Sequence, residues 1–219
     1  MPVGKLVRQR LKEIKRTPGE LAEAVQLPKK YVDELISGKR RPPLPGRTDV
    51  YDRMTTFLKL SRNDLALCAT AEREASAPKR APLPKANVRR MLLELCEERT
   101  AEELESRRAE NGGAEMADYT QRLLDIIQGA VRRMLDDQIG LRLSAQGSGR
   151  SYEAMRLRVL EFLDATPDTL TTDDLQKFFE PRLTMWDVDL DSGVLRVVLR
   201  SQEPRERQQR RRPSVGPSF

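Results

Sequence analysis

Apolar positions near the start of the chain recur at helical spacing and stop at turn residues. Leu6, Val7, Leu11 and Ile14 predict a first helix from about Gly4 to Lys15. Thr17, Pro18 and Glu20 then stand as N-cap, first-turn proline and a carboxylate three residues on. That is the spacing of a capping box, and it opens a second helix through about Val25. Pro28 opens a third helix running to about Ser37, which Gly38 ends as a C-terminal cap. A fourth starts near Asp49, with Val50, Met54, Phe57, Leu58 and Leu60 as its inner positions.

The later part of the chain is also helical by period. Val88, Met91, Leu92, Leu95, Cys96 and Leu104 predict one helix from Asn87 to about Arg108. Met116–Gln138 carries a wide apolar stripe of Leu123, Ile126, Ile127, Ala130, Val131, Met134 and Leu135. The stripe suits a packed core, with a dimer seam as the second reading. Tyr152–Leu163 offers Met155, Val159, Leu160 and Leu163. A short helix capped by Thr172 offers Leu175, Phe178 and Phe179. The period then changes to two. Leu183–Leu190, the turn Asp191-Ser192-Gly193 and Val194–Arg200 predict a β-hairpin. An isolated hairpin is marginal, so its Trp186, Val188 and Leu190 face is expected on the helices or on a second copy. The fold class is mainly α: a four-to-five-helix N-terminal domain, then an α-rich C-terminal domain with one terminal hairpin.

Breaks in the pattern set the domain limits. The stretch ASAPKRAPLP within residues 75–86 reads as an extended spacer. It separates an N-terminal domain of residues 1–74 from a C-terminal domain of residues 87–200. ENGGA at 110–114 should break a helix, SAQGSGRS at 144–151 reads as a flexible loop, and residues 201–219 read as a disordered basic tail.

Charge sharpens this division. The 219 residues carry 40 Lys and Arg against 34 Asp and Glu, a net of +6. Residues 1–66 hold 15 basic and 8 acidic side chains, whereas residues 87–200 hold 16 and 22. A head of net +7 therefore precedes a body of net −6, and a basic head suggests a polyanionic partner.

Candidate chemistry is sparse. The chain has no histidine, which excludes Ser-His-Asp and Cys-His catalysis, HExxH zinc proteases and Cys2His2 fingers. Cys68 and Cys96 are too few for a zinc ribbon or a CxxC redox motif, and read as reduced thiols. Asp187, Asp189 and Asp191 form a DxDxD run that could invite a divalent cation. The plainer reading is alternate positions on an exposed strand face followed by a turn. Asp173-Asp174 reads as a first helical turn, where carboxylates suit the helix dipole. No catalytic residue, cofactor or metal is expected, and an enzyme is disfavoured. No signal peptide or membrane-spanning stretch is evident, which gives a soluble, cytoplasmic protein with no membrane partner.

The stretch TPGELAEAVQLPKKYVDELISGKRRPP combines two helices across a very short turn. It resembles the helix-turn-helix of lambda repressor, Cro and the larger XRE-type regulator family, whose pattern runs roughly L-A-x-x-x-G-[VIL]-[SP]-x-x-x-[IV]-S-x-x-[EL]-x-G. Leu21, Ala22, Leu27, Pro28, Val32 and Gly38 match in spacing, and the resemblance covers about 60 residues. The usual turn glycine is Gln26, and the usual Gln opening the first helix of the pair is Pro18. Asp33 stands for a serine and Ile36 for a glutamate. The segment Arg40–Thr48 is longer than the common connection.

The resemblance implies double-stranded DNA as partner, read by a homodimer on inverted half-sites. It implies Lys29 and Lys30 at base edges, where lysine donates to guanine, with Tyr31 near a phosphate or thymine methyl. Asp33 would lie near the same surface. Lys39, Arg40, Arg41 and Arg47 would hold the backbone without reading sequence. The N–H groups near Thr17 would meet a phosphate. The expected function is a sequence-specific transcriptional regulator, a repressor. The alternative is a protein-interaction regulator, antitoxin-like or sigma-binding, that uses the head as a docking surface. The acidic C-terminal domain is the expected site for oligomerisation or for a protein partner, with a small-molecule effector that changes DNA affinity as the competing reading.

Overall fold

Five helices build the head, each ended by a residue able to leave the helix. The computed structural model describes residues 1–61, 63–76, 81–143 and 149–200, and the statements below concern those. Helix α1 spans Val3–Glu13, α2 Pro18–Val25, α3 Lys29–Ser37, α4 Val50–Leu58 and α5 Asp64–Ala75. The expected capping box is present. Thr17 Oγ1 accepts from the Glu20 N–H at 3.2 Å, and the Glu20 carboxylate accepts from the Thr17 N–H at 2.7 Å. The turn that follows runs through Gln26 at φ 56°, and Gly38 ends α3 at φ 74°. Both occupy the left-handed region, at a steric cost for Gln26 that glycine escapes. Arg53 Nη1 donates to Gln26 Oε1 at 2.6 Å and holds that turn.

The head core gathers Val3, Val7 and Leu11 of α1, Leu21 and Val25 of α2, and Val32 and Leu35 of α3. Met54 and Leu58 of α4 and Leu65 of α5 complete it. Helix α1 lies unusually close to the end of α3. A Cβ added at Gly4 would stand 2.6 Å from the Leu35 carbonyl oxygen and 2.7 Å from that of Ile36.

The body is α6 (Ala86–Glu94), α7 (Glu98–Asn111), α8 (Ala114–Leu143) and α9 (Gly149–Leu163). A short turn at Thr172–Asp174 then widens through Leu175–Phe179. Its cap is Thr171, one residue earlier than expected, closed by Asp174. Strands β1 (Leu183–Asp189) and β2 (Val194–Leu199) form an antiparallel hairpin. The molecule is therefore mainly α with a small hairpin, as the periodicity predicts.

The helix expected from Asn87 to Arg108 is two helices. Trp186 explains the break. Its backbone N–H donates to Leu95 O at 3.0 Å, and its carbonyl accepts from the Glu97 N–H at 3.0 Å. Its indole Nε1 donates to Leu92 O at 2.7 Å. The chain between α6 and α7 pairs with β1 instead of continuing the helix. Gly112 and Gly113, at φ 64° and 83°, end α7 where ENGGA predicts a break.

Trp186 and Val188 are buried against the helices and Leu190 is partly buried there, so the hairpin's inner face rests on its own chain. Phe162 stacks on Phe178 with centroids 4.1 Å apart and meets Phe179 edge-on at 6.2 Å. Leu123, Ile127 and Val131 of the α8 stripe lie in this core, while Ile126 is exposed. The side chains of Met134 and Leu135, residues 144–148 of the expected loop, residues 77–80 of the expected linker and residues 201–219 of the expected tail lie outside the described residues, whereas residues 149–151 of that expected loop are the first turn of α9.

Helix α9 serves both cores. Leu157 and Leu160 pack into the head, while Val159, Phe162 and Leu163 pack into the body. Head and body are thus joined by packing as well as by the chain between α5 and α6.

Candidate nucleic-acid interface

The α2-turn-α3 unit presents its charged face at the start of α3. Lys29, Lys30 and Asp33 are all exposed, and the Lys30 side chain is 86% exposed, with Glu34 Oε1 at 4.0 Å. Lys39 is exposed just past Gly38. These four expected site residues share the outer side of α3 and its end. Alternation explains the pattern: Val32 and Leu35 turn inward, which sends Lys29, Lys30 and Asp33 outward.

Tyr31 goes the other way. It is 5% exposed and belongs to the head core, so its ring is packing material rather than a surface group. Burial pushes its phenol above the ordinary range. The Arg40 guanidinium lies over the ring, 4.9 Å from its centroid. Thr17 spends its hydroxyl on Glu20, both accepting and donating, and its N–H donates to the Glu20 carboxylate, so of the N–H groups from Thr17 to Glu20 the capping box leaves only that of Gly19 for an anion.

The arginines expected on a DNA backbone are instead largely held inside the molecule. Arg40 Nε pairs with Glu34 at 2.9 Å, and its Nη1 with Glu161 of α9 at 3.3 Å. Arg47 Nη2 pairs with Asp125 of α8 at 2.7 Å, and its Nη1 donates to Gln128 Oε1 and to Leu163 O. Arg41 is exposed, but its Nη2 donates to Arg73 O at 3.3 Å and Ser76 Oγ at 3.1 Å. Arg73 completes the set, pairing with Asp164 at 2.5 Å and with Pro42 O at 2.6 Å. The loop after α3 is therefore a seam against the body. Tyr51 Oη reinforces it, donating to Pro43 O at 2.5 Å.

The deepest seam contact is Arg156 of α9, 1% exposed, whose Nη2 donates to Asp49 Oδ1 at 2.6 Å. Its Nε and Nη1 have no hydrogen-bond partner among the described residues. Periodicity alone places Met155 inward and leaves Arg156 unmarked. The structure reverses the two, with Met155 37% exposed. The signal was present in one respect: Arg156 stands four residues before Leu160, on the same helix face.

A cleft of about 280 Å³ opens along the seam between Tyr31, Arg40, Arg41, Arg158, Glu161 and Asp164. Burial raises the Asp164 carboxyl above its ordinary value even against the pull of Arg73. The cleft's carboxylates are matched by its own arginines. Arg158 reaches Asp174 at 3.1 Å as well as Asp173, and Glu161 is shared by Arg40 and Arg158.

The aspartate run on the hairpin has local uses. Asp187 Oδ1 accepts from Thr100 Oγ1 at 2.5 Å, and Asp189 Oδ1 accepts from the Asp191 and Ser192 N–H groups to close the turn. Among the described residues no group of three His, Cys, Asp or Glu is placed to hold a metal ion, and no helix is long and apolar enough to cross a membrane. Comparison of the chain with protein-family models, with curated proteins and with solved structures finds no match.

Proposed function

We propose that the chain is a sequence-specific DNA-binding transcriptional regulator of the cytoplasm, a repressor, which reads the major groove with α3. The observation that carries this reading is the helix-turn-helix geometry itself. Helix α2 is closed by a left-handed Gln26, α3 follows after two residues, and Lys29 and Lys30 stand exposed at its first turn. Lysines at that position reach base edges, and Lys39 beyond Gly38 reaches phosphate.

Seam occupancy refines the roles. With Arg40 and Arg47 paired to Glu161 and Asp125, backbone holding falls to Lys39, Arg41 and the Gly19 N–H that the capping box leaves free. The same seam favours the second reading, a protein-interaction regulator that docks a partner on the head. A face carrying Asp33 and Glu34 beside its lysines suits a partner of mixed charge.

Selection of bound duplexes from a random pool at two salt concentrations decides between them. The DNA reading expects salt-sensitive enrichment of a motif, lost when Lys29 and Lys30 are both changed to Ala, with each lost phosphate contact lowering the salt slope by about one. No salt-sensitive binding to any duplex sinks it and leaves the docking reading.

A further inference from the structure

Strand β2 ends the described chain with an open edge. On β1 the outer edge is occupied, because Trp186 pairs with the segment between α6 and α7. Among the described residues the sheet has two strands, so β2 has β1 on one side and no described strand on the other. Exposed edges are usually blunted by proline, charged side chains or a bulge. VLRVVLR at 194–200 has no proline, its charges are Arg196 and Arg200 alone, and the ladder's one irregularity falls between Leu183 and Met185, on β1.

Exposed apolar surface concentrates at the same place. Of nine exposed large hydrophobic side chains among the described residues, four belong to this hairpin: Met185, Val194, Val198 and Leu199. Val194 is 54% exposed and Val198 49%. Isolated exposed leucines need no explanation, but a cluster beside an open edge does.

We propose that β2 pairs with β2 of a second copy of this chain, antiparallel about a two-fold axis at Val197, which joins two hairpins into a four-stranded sheet. Charge narrows the occupant and the register: centring on Leu195 or on Val197 keeps the arginines apart, and of the two Val197 opposes the longer run of the strand, 194–200. Directly opposed residues of an antiparallel pair share a face, so the axis passes between one residue and its own copy. Centring on Arg196 opposes that arginine to itself. Centring on Val198 opposes Arg196 to Arg200. Like charges directly opposite destabilise a sheet. Centring on Val197 sets Leu195 against Leu199, Arg196 against Val198 and Val194 against Arg200, so each arginine meets a valine. The arginine-rich segment 201–219 of the same chain is a poorer occupant, since it brings five more arginines to Arg196 and Arg200. None of this uses the head, so the proposal stands apart from the DNA reading.

The test is the solution mass of the full chain across a concentration series, by size exclusion with light scattering. The parent chain is expected at twice 25.0 kDa. Val198→Lys sets a lysine against Arg196 in both halves, and its mass should fall twofold to that of a single chain. Val198→Thr should keep the dimer. Circular dichroism melts of both variants report whether the fold survives; a folded, monomeric Val198→Lys is the expected outcome. A parent that is monomeric throughout overturns the proposal. So does a Val198→Lys that stays dimeric, which would put the contact elsewhere. A parent that dimerises only after residues 201–219 are removed overturns it too, because the tail then holds the edge.

Discussion

Single side chains decide more here than their composition suggests. Asp49 is the clearest case. It accepts from the buried Arg156 at 2.6 Å and from Arg53 at 2.8 Å. Asp49→Ala strands a buried guanidinium and should cost about 3 kcal/mol in urea denaturation, while adding Arg156→Met should recover most of the loss. Gly4→Ala presses a methyl onto two backbone carbonyls that cannot move aside and should cost about 1–3 kcal/mol. Cys96 predicts a pH dependence. Burial first, then Asp187, pushes its thiol up to about 12 from an ordinary 9.0. Between these values the unfolded chain releases the proton and the folded chain keeps it, so stability falls as pH rises through that window. The buried Tyr31 and Tyr51 phenols act in the same direction above their ordinary 10.0. A plot of urea midpoint against pH should drop less steeply for Cys96→Ala than for the parent.

Among the elements, α9 matters most. Its periodicity is plain in the sequence, but a helix stripe does not say which of two cores it faces. Leu157 and Leu160 are centred about 140° away from Val159, Phe162 and Leu163 around the axis, which lets one helix enter both. Leu160→Ala should cost about 2–5 kcal/mol, and its effect should surface in the head. Amide exchange in α1–α5 should accelerate although the changed residue belongs to the body's helix; unchanged protection there would mean that α9 is not part of the head core. The split between α6 and α7 has the same origin. Local pattern favours one helix, and a tryptophan far along the chain takes the backbone groups that would have continued it.

For the molecule as a whole, the charge division has a different meaning from the one the totals suggest. A basic head and an acidic body read as a DNA reader with a separate appendage. In the folded chain much of that opposite charge meets: Arg40 with Glu161, Arg47 with Asp125, and Arg73 with Asp164. Arg47→Ala should therefore lower the melting temperature and leave the salt slope of any DNA binding nearly unchanged, whereas Lys39→Ala should lower the slope and spare the melt. Calorimetry and a salt titration of the two variants read both effects.

What the sequence determined is local. The Thr17 capping box, the helix-ending glycines and the turn at Gln26 depend on residues within a few positions of one another and stand where the pattern puts them, whereas the hairpin keeps its alternation only from Met185 on, a bulge turning Leu183 to the buried face with Trp186. The outward placement of Lys29 and Lys30 is equally local, since helix geometry sends them opposite Val32 and Leu35. Tertiary structure alone decided the fate of Tyr31, Arg40, Arg47 and Arg156. A long polar side chain is at home in water or in a buried ion pair, and which it adopts depends on whether a carboxylate from a distant segment is brought within reach. Those pairs, Arg156 with Asp49, Arg47 with Asp125, Arg40 with Glu161 and Arg73 with Asp164, form only where α8 and α9 pack against the head, and no spacing along the chain records that contact.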